Sequence, residues 1–463
     1  MIEESIGFPA GFYFSVMLLA LAATYAWRMR EFGVGIPMFA VLGTIALWYL
    51  GDVLYNDYES YGRQIGFEYI EAAWWQVALF TGAFLTFVPI VHKIFNRKLL
   101  NQKSEFWALM RMGGILNPEF QRRLDVATSL ILGIWFVLMF FALIRTDFNF
   151  LGLFAPYISG RAVPWGRGRV GGGFDALIAF ASYIHITLAA SFGIIAAVAK
   201  NPRTRLIGIF LTLISLPLFL LDRTRNTMLA VALPGFLAWV FIRLRSGIWI
   251  KLAIIVGAFL LTEGWMKFVI ATRSDADISQ AFIQLGIGGV VETVETIDTK
   301  HQGLNMFEEL VWVNSFIDKG TYQVNNGARY FAELVNPIPR VIWPNKPMIG
   351  IDYAIARGQK YGESGDRGSA GVGATISTGM IGQGVVNFGT FLGVLAAALL
   401  MAFWVAILAR QDLMGVKMGR MLLFFIGCVL TFNLGRDITL ITLYPFLFGY
   451  ILLSIWSKVH KDI

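Results

Sequence analysis

Eleven apolar stretches narrow the possible folds more than any other feature of this chain. Their approximate limits are 9–27, 34–54, 72–92, 126–144, 174–199, 206–221, 227–242, 252–270, 382–409, 421–435 and 438–456. A helix needs ~20 such residues to cross a hydrocarbon core, where every backbone polar group must find its partner inside the protein. Most of the stretches approach that length, although 421–435 is short. The pattern predicts an all-α polytopic membrane protein of about 11 transmembrane helices. No internal repeat, heptad or low-complexity linker divides it, so a single membrane domain over 1–463 is expected.

Composition then excludes other classes. The chain is 57% hydrophobic and 15% charged, with a formal charge of +8. That charge does not mark a nucleic-acid partner, because the basic residues flank apolar runs, where they fix topology. Neither a zinc-type cysteine spacing nor a nucleic-acid-binding motif is present. The lone Cys428 rules out an internal disulfide, and the acidic start MIEESIG is unlike a cleavable signal peptide.

Basic residues also set an orientation. With the N-terminus outside, loops 28–33, 93–125, 200–205, 243–251, 410–420 and the C-terminal tail carry 20 of the 38 Lys and Arg residues. The opposite short loops carry eight, all arginine: Arg63, Arg145, Arg161, Arg167, Arg169, Arg223, Arg225 and Arg436. The positive-inside rule therefore favours a cytoplasmic C-terminus. Two explanations stand for the outer arginines: an anionic ligand at that face, or snorkelling and pairing with Asp147, Asp222 and Asp437.

One long outer segment remains, from about Ala271 to Ile381. Its first part reads as partly helical, and its last part is glycine-rich, a composition suited to a lid over a membrane-embedded cavity. Its centre is Asn325–Pro347, NNGARYFAELVNPIPRVIWPNKP, with four prolines in 23 residues. Proline fixes φ and removes a donor, so this run is not one continuous helix. The expected product is a stiff, extended or turning scaffold that aims Arg329, Arg340 and Lys346. Guanidinium groups held this way suit phosphate, which they grip with two parallel hydrogen bonds. Arg223 and Arg225, two apart in a turn, can reach one diphosphate in the same manner.

The run PIPRVIWPNKP, preceded by NGARYFAELVN and followed by a glycine-rich segment ending VVNFGTFLG, resembles the Wzy-type oligosaccharide repeat-unit polymerases, the O-antigen polymerases. The specific likeness covers Asn325–Gly393, and the rest agrees in hydropathy alone. One position departs: Gln383 stands where a glutamate is expected before the NFG element, and a glutamine cannot act as a base. The resemblance implies a GT-C-like glycosyltransferase in a bacterial inner membrane, multi-pass, with its N-terminus periplasmic and C-terminus cytoplasmic. Its donor would be a glycan on undecaprenyl diphosphate, and its acceptor one new lipid-linked repeat unit. Membrane lipid, a chain-length regulator and a flippase are the implied partners, with no nucleic acid and no cofactor.

Arg340, Arg329 and Arg223 are then the expected catalytic arginines, stabilising charge on the departing diphosphate without a metal. Arg225, Lys346, Arg436, Trp343, Tyr330 and Asn325 are the expected substrate-binding residues. The general base stays open among His301, Glu292, Glu295, Glu333 and Asp352, none of which its spacing singles out. A glycan ligase using the same donor, a lipid-linked oligosaccharide flippase or other transporter, and a non-enzymatic scaffold for polysaccharide assembly are the competing functions; matching broken helices in two repeats, the mark of many transporters, are not visible.

Overall fold

A computed structural model describes residues 7–55, 58–112, 118–150, 153, 164–165, 175–221, 225–247, 249–258, 261, 305–335, 338, 342–347, 350–358, 376–414 and 418–459. Among these residues the chain is helical and contains no strand. The main helices are α1 Ala10–Arg28, α2 Gly35–Ile45, α3 Phe67–Phe95, α4 Glu105–Met112, α5 Pro118–Arg145, α6 Asp175–Val198, α7 Pro202–Leu221 and α8 Arg225–Ala238. They continue as α9 Met306–Asp318, α10 Ala328–Val335, α11 Ile351–Ala356, α12 Gly379–Phe388, α13 Leu392–Leu413, α14 Met418–Arg436 and α15 Leu440–Val459.

Eight helical segments among the described residues are long and apolar enough to cross a membrane. Shorter apolar helices at Ala230–Arg243, Trp249–Ala258 and Thr442–Ile455 fall at three further expected positions. The protein is thus a multi-pass, all-helical membrane protein. α13 packs along α3 near the centre, α14 lies against α2, and α6, α7 and α8 form a second group joined to the first through α14. α5 turns Phe136, Val137, Phe140 and Phe141 outward, and α7 does the same with Leu206, Phe210 and Leu213. Such exposed faces suit contact with lipid. Small residues let the backbones approach: a methyl group on Gly384 of α12 would sit 2.1 Å from the Gly393 carbonyl oxygen of α13.

Polar contacts identify the two ends of the bundle. At one end Ser104 N–H donates to Glu31 O, Asn96 Nδ2 to Ala406 O, and Gln121 Nε2 to Val198 O. These bonds gather loops that the sequence had grouped by their positive charge. At the other end Tyr61 Oη donates to Asp52, Tyr69 Oη donates to Asp318, and Arg329 pairs with Asp437.

Three expectations need correcting. The apolar stretch 382–409 is not one helix: it breaks between α12 and α13 at Gly389, whose φ of 84° and ψ of 178° leave helical space. Nor is the outer segment only a covering loop. α9 and α12, of 13 and 10 residues, are too short to cross a bilayer, yet both pack inside the bundle. α9 is fixed by polar bonds as well as apolar contact, since Gln76 of α3 and Asn314 exchange amide hydrogen bonds of 2.8 and 2.9 Å. Finally, the centre of the segment is not extended from its start, because α10 forms before the first proline, Pro337.

Candidate functional site

Two pieces of the motif-bearing sequence, NNGARY and VVNF, are bound to each other at the second end of the bundle. Asn325 N–H donates to Val386 O (3.0 Å) and Gly327 N–H to Asn387 O (3.1 Å). Asn387 Oδ1 accepts from Tyr330 N–H (3.2 Å), while its Nδ2 donates to Gln383 O (2.7 Å). The chain reaches this register through a left-handed pair, Asn326 at φ 51° and Gly327 at φ 88°. Asparagine and glycine are the residues that tolerate such a turn, which explains the NNG spelling. The turn launches α10 with Arg329 facing inward.

Three helix ends then meet on one carboxylate. Asp437, just after α14, accepts from Arg329 Nη2 (3.3 Å) and from Thr378 N–H (3.4 Å) at the start of α12. Ser377 lies beside the same carboxyl group and favours its charged form, and Ser377 Oγ accepts from Arg436 Nε (2.9 Å). The next residue is clamped too: Gln383 Oε1 accepts from Ile438 N–H (2.6 Å) and Gln383 Nε2 donates to Ile438 O (3.1 Å). A glutamate could accept but could not donate here. That accounts physically for glutamine at 383, wholly buried, and gives it a positioning task.

Arg329 is 4% exposed, and its Nε and Nη1 have no hydrogen-bond partner among the described residues. Beside it, the Tyr330 hydroxyl is buried and likewise unpartnered there. A buried guanidinium with donors to spare is costly unless a ligand meets them. Burial raises the carboxyl pKa of Asp437 above its ordinary value, and the neighbouring Arg329 pulls the other way. Burial also raises the Tyr330 hydroxyl.

A second polar group flanks the first. Tyr322 Oη donates to Asp352 Oδ2 (2.6 Å), and Asn325 Nδ2 approaches both (3.3 and 3.4 Å). Asp352 itself stays exposed at the start of α11. Deeper, Glu309 of α9 accepts from Tyr353 Oη and from Arg357 Nη2 (3.1 Å), with the Arg357 guanidinium 4.5 Å over the Trp312 ring. Burial lifts the Glu309 carboxyl above its usual range against the pull of Arg357. Its neighbour Glu308 presents its backbone N–H to Asp52 Oδ2 (2.9 Å), tying α9 to the segment after α2.

The sequence-named residues divide accordingly. Arg329, Tyr330, Asn325 and Arg436 come together around α10, α12 and Asp437. Lys346 donates its ammonium to Ile338 O (2.8 Å), closing the proline-containing turn, and Trp343 meets Phe331 edge-on. Glu333 is buried on α10. Arg340, Arg223, His301, Glu292 and Glu295 lie outside the described residues, as does the side chain of Arg225, whose backbone opens α8. Sequence reasoning overlooked Ser377, Thr378 and Arg357; it marked Glu309 only as one of the segment's acidic residues, Tyr353 only as an aromatic able to stack on a sugar, and Asp437 as a pairing partner. An Arg–Asp pair between two apolar runs was the available signal. Among the described residues no cluster of three His, Cys, Asp or Glu side chains is placed to hold a metal.

Comparison with protein-family models, with curated proteins and with solved structures finds no match for this chain.

Proposed function

We propose that the protein is a GT-C-like glycosyltransferase that polymerises undecaprenyl-diphosphate-linked oligosaccharide repeat units at the outer face of a bacterial inner membrane. One observation carries this: the buried Arg329, with two nitrogens free of partners among the described residues, sits where the two segments that resemble the Wzy-type polymerases are bound together. In the reaction the bond between the anomeric carbon of the donor glycan and the diphosphate oxygen breaks. The diphosphate keeps the electron pair, and the acceptor hydroxyl oxygen bonds to the anomeric carbon. A fixed guanidinium stabilises the charge that grows on the leaving group, and it stays protonated throughout.

The acceptor proton passes to a base. Asp352 is the candidate best placed for this among the described residues, exposed near the Arg329 cluster and oriented by Tyr322 and Asn325. The polar end of the bundle would face outward, because the basic loops gather at the other end.

Purified protein in liposomes, given lipid-linked repeat unit alone, should produce a ladder of polymer. Folded protein that gives no ladder would overturn the proposal. Transfer only to a separate lipid acceptor would indicate a ligase, and movement of intact lipid across the bilayer a flippase. A reporter fused after Lys458 should read cytoplasmic, and one inserted near Gly365 external.

A further inference from the structure

The start of α12 is built as an anion site and already holds an anion of the protein's own. A helix N-terminus leaves backbone N–H groups without intrahelical partners and carries partial positive charge. A threonine at the N-cap ordinarily turns its hydroxyl back to accept from the second or third helical N–H. Thr378 occupies the N-cap of this 10-residue helix, yet it makes no such bond; the third helical N–H, that of Ile381, donates to Tyr49 Oη (2.9 Å) instead. Its Oγ1 is buried and has no hydrogen-bond partner among the described residues. Arg329, only 4% exposed, points its Nη2 at the oxygen that also takes Thr378 N–H. Its Nε and Nη1 remain unpartnered there. Arg436, exposed, reaches the cluster through Ser377.

We propose that Asp437 is a resident anion: its carboxylate stands where a phosphate of the lipid-linked diphosphate binds, at the N-terminus of α12 between Arg329 and Arg436. This rests on the polymerase proposal for the identity of the ligand. A carboxylate oxygen and a phosphate oxygen accept from guanidinium and backbone N–H groups in the same way, and a phosphate brings further oxygens for Arg329 Nε and Nη1 and the Thr378 hydroxyl. Asp437 yields by turning its side chain, which is 16% exposed, while its backbone stays held by Asn433 O and by the Gln383 clamp on Ile438. Its carboxylate keeps two arginines from facing each other unscreened while no ligand is bound, at the cost of competing with the ligand when it arrives.

The test is binding, measured by calorimetry on the full chain in detergent, with inorganic diphosphate and farnesyl diphosphate as probes. Both should bind, the prenyl form more tightly. Asp437→Asn removes the competing charge and should tighten both by about tenfold. Arg436→Gln, at an exposed position, should weaken both by about tenfold, and Ser377→Ala by a smaller factor. Unchanged or weaker binding in Asp437→Asn with a near-normal melting temperature would overturn the inference. Should that variant not fold, unchanged binding in both Arg436→Gln and Ser377→Ala would do so. Binding of inorganic diphosphate without the prenyl form would assign the site to free diphosphate and overturn the lipid source. A polymer ladder from wild-type protein whose Asp437→Asn variant binds no more tightly sinks this inference alone. Tighter binding without a ladder sinks the polymerase instead.

Discussion

Two helix starts at opposite ends of the bundle receive very different treatment. α4, at the end with the basic loops, is capped twice: Ser104 Oγ accepts from Trp107 N–H (2.9 Å), and Asp412 Oδ1 accepts from Phe106 N–H (2.8 Å). The helix thereby docks on the end of α13, and its cap is a structural device. α12, at the other end, has one distant cap, Tyr49 Oη accepting from Ile381 N–H (2.9 Å), but its own N-cap Thr378 leaves Oγ1 without a partner among the described residues while Asp437 and Arg329 meet at the same opening. Folding alone favours the first arrangement, since a satisfied cap stabilises a helix by ~1 kcal/mol. The nitrogens of buried Arg329 and the Thr378 hydroxyl that lack partners among the described residues point to a task outside folding.

Breaking the second helix start at its charge should have the largest effect. Arg329→Ala is expected to lower polymer formation by at least ~10²–10³-fold, the usual loss for a well-placed oxyanion donor. Arg329→Lys should recover little, because an ammonium lacks the planar two-point grip. Quantified ladders at matched protein level check both, and near-normal polymer from the lysine variant would remove Arg329 from the chemistry. Gln383→Glu comes next: it deletes the bond donated to Ile438 O and buries a carboxylate beside Asp437. A destabilisation of ~2–4 kcal/mol is expected, read as a lower melting temperature in detergent.

The comparison itself is sharpened by two small changes made in parallel. Ser104→Ala should cost ~1 kcal/mol of stability and leave diphosphate binding alone. Thr378→Val should shift stability by less than ~0.5 kcal/mol, since no cap is lost, and weaken diphosphate binding several-fold. Equal stability losses at the two positions would mean that Thr378 caps its helix after all. The smallest effect is expected from chelation: removing divalent ions should leave turnover nearly unchanged, because arginine supplies the charge that Mg²⁺ would otherwise bring. Loss restored by a divalent ion would count against the arginine mechanism.

The sequence by itself determined the membrane class, the all-helical content and the grouping of basic loops, because these follow from runs of apolar residues and the charges that border them. It also marked Arg329, Tyr330 and Asn325 as a polar island in an apolar chain. It missed the break at Gly389, since both α12 and the start of α13 are apolar and a buried half-helix has the same hydropathy as part of a span. Tertiary structure alone decided that Gln383 clamps Ile438, that Asn387 docks the NNG turn, and that Asp437, 108 residues from Arg329, becomes its partner. Hydropathy is a property of neighbours along the chain. Which polar group meets which inside a bundle depends on how helices distant in sequence are brought together, and that is where the site is made.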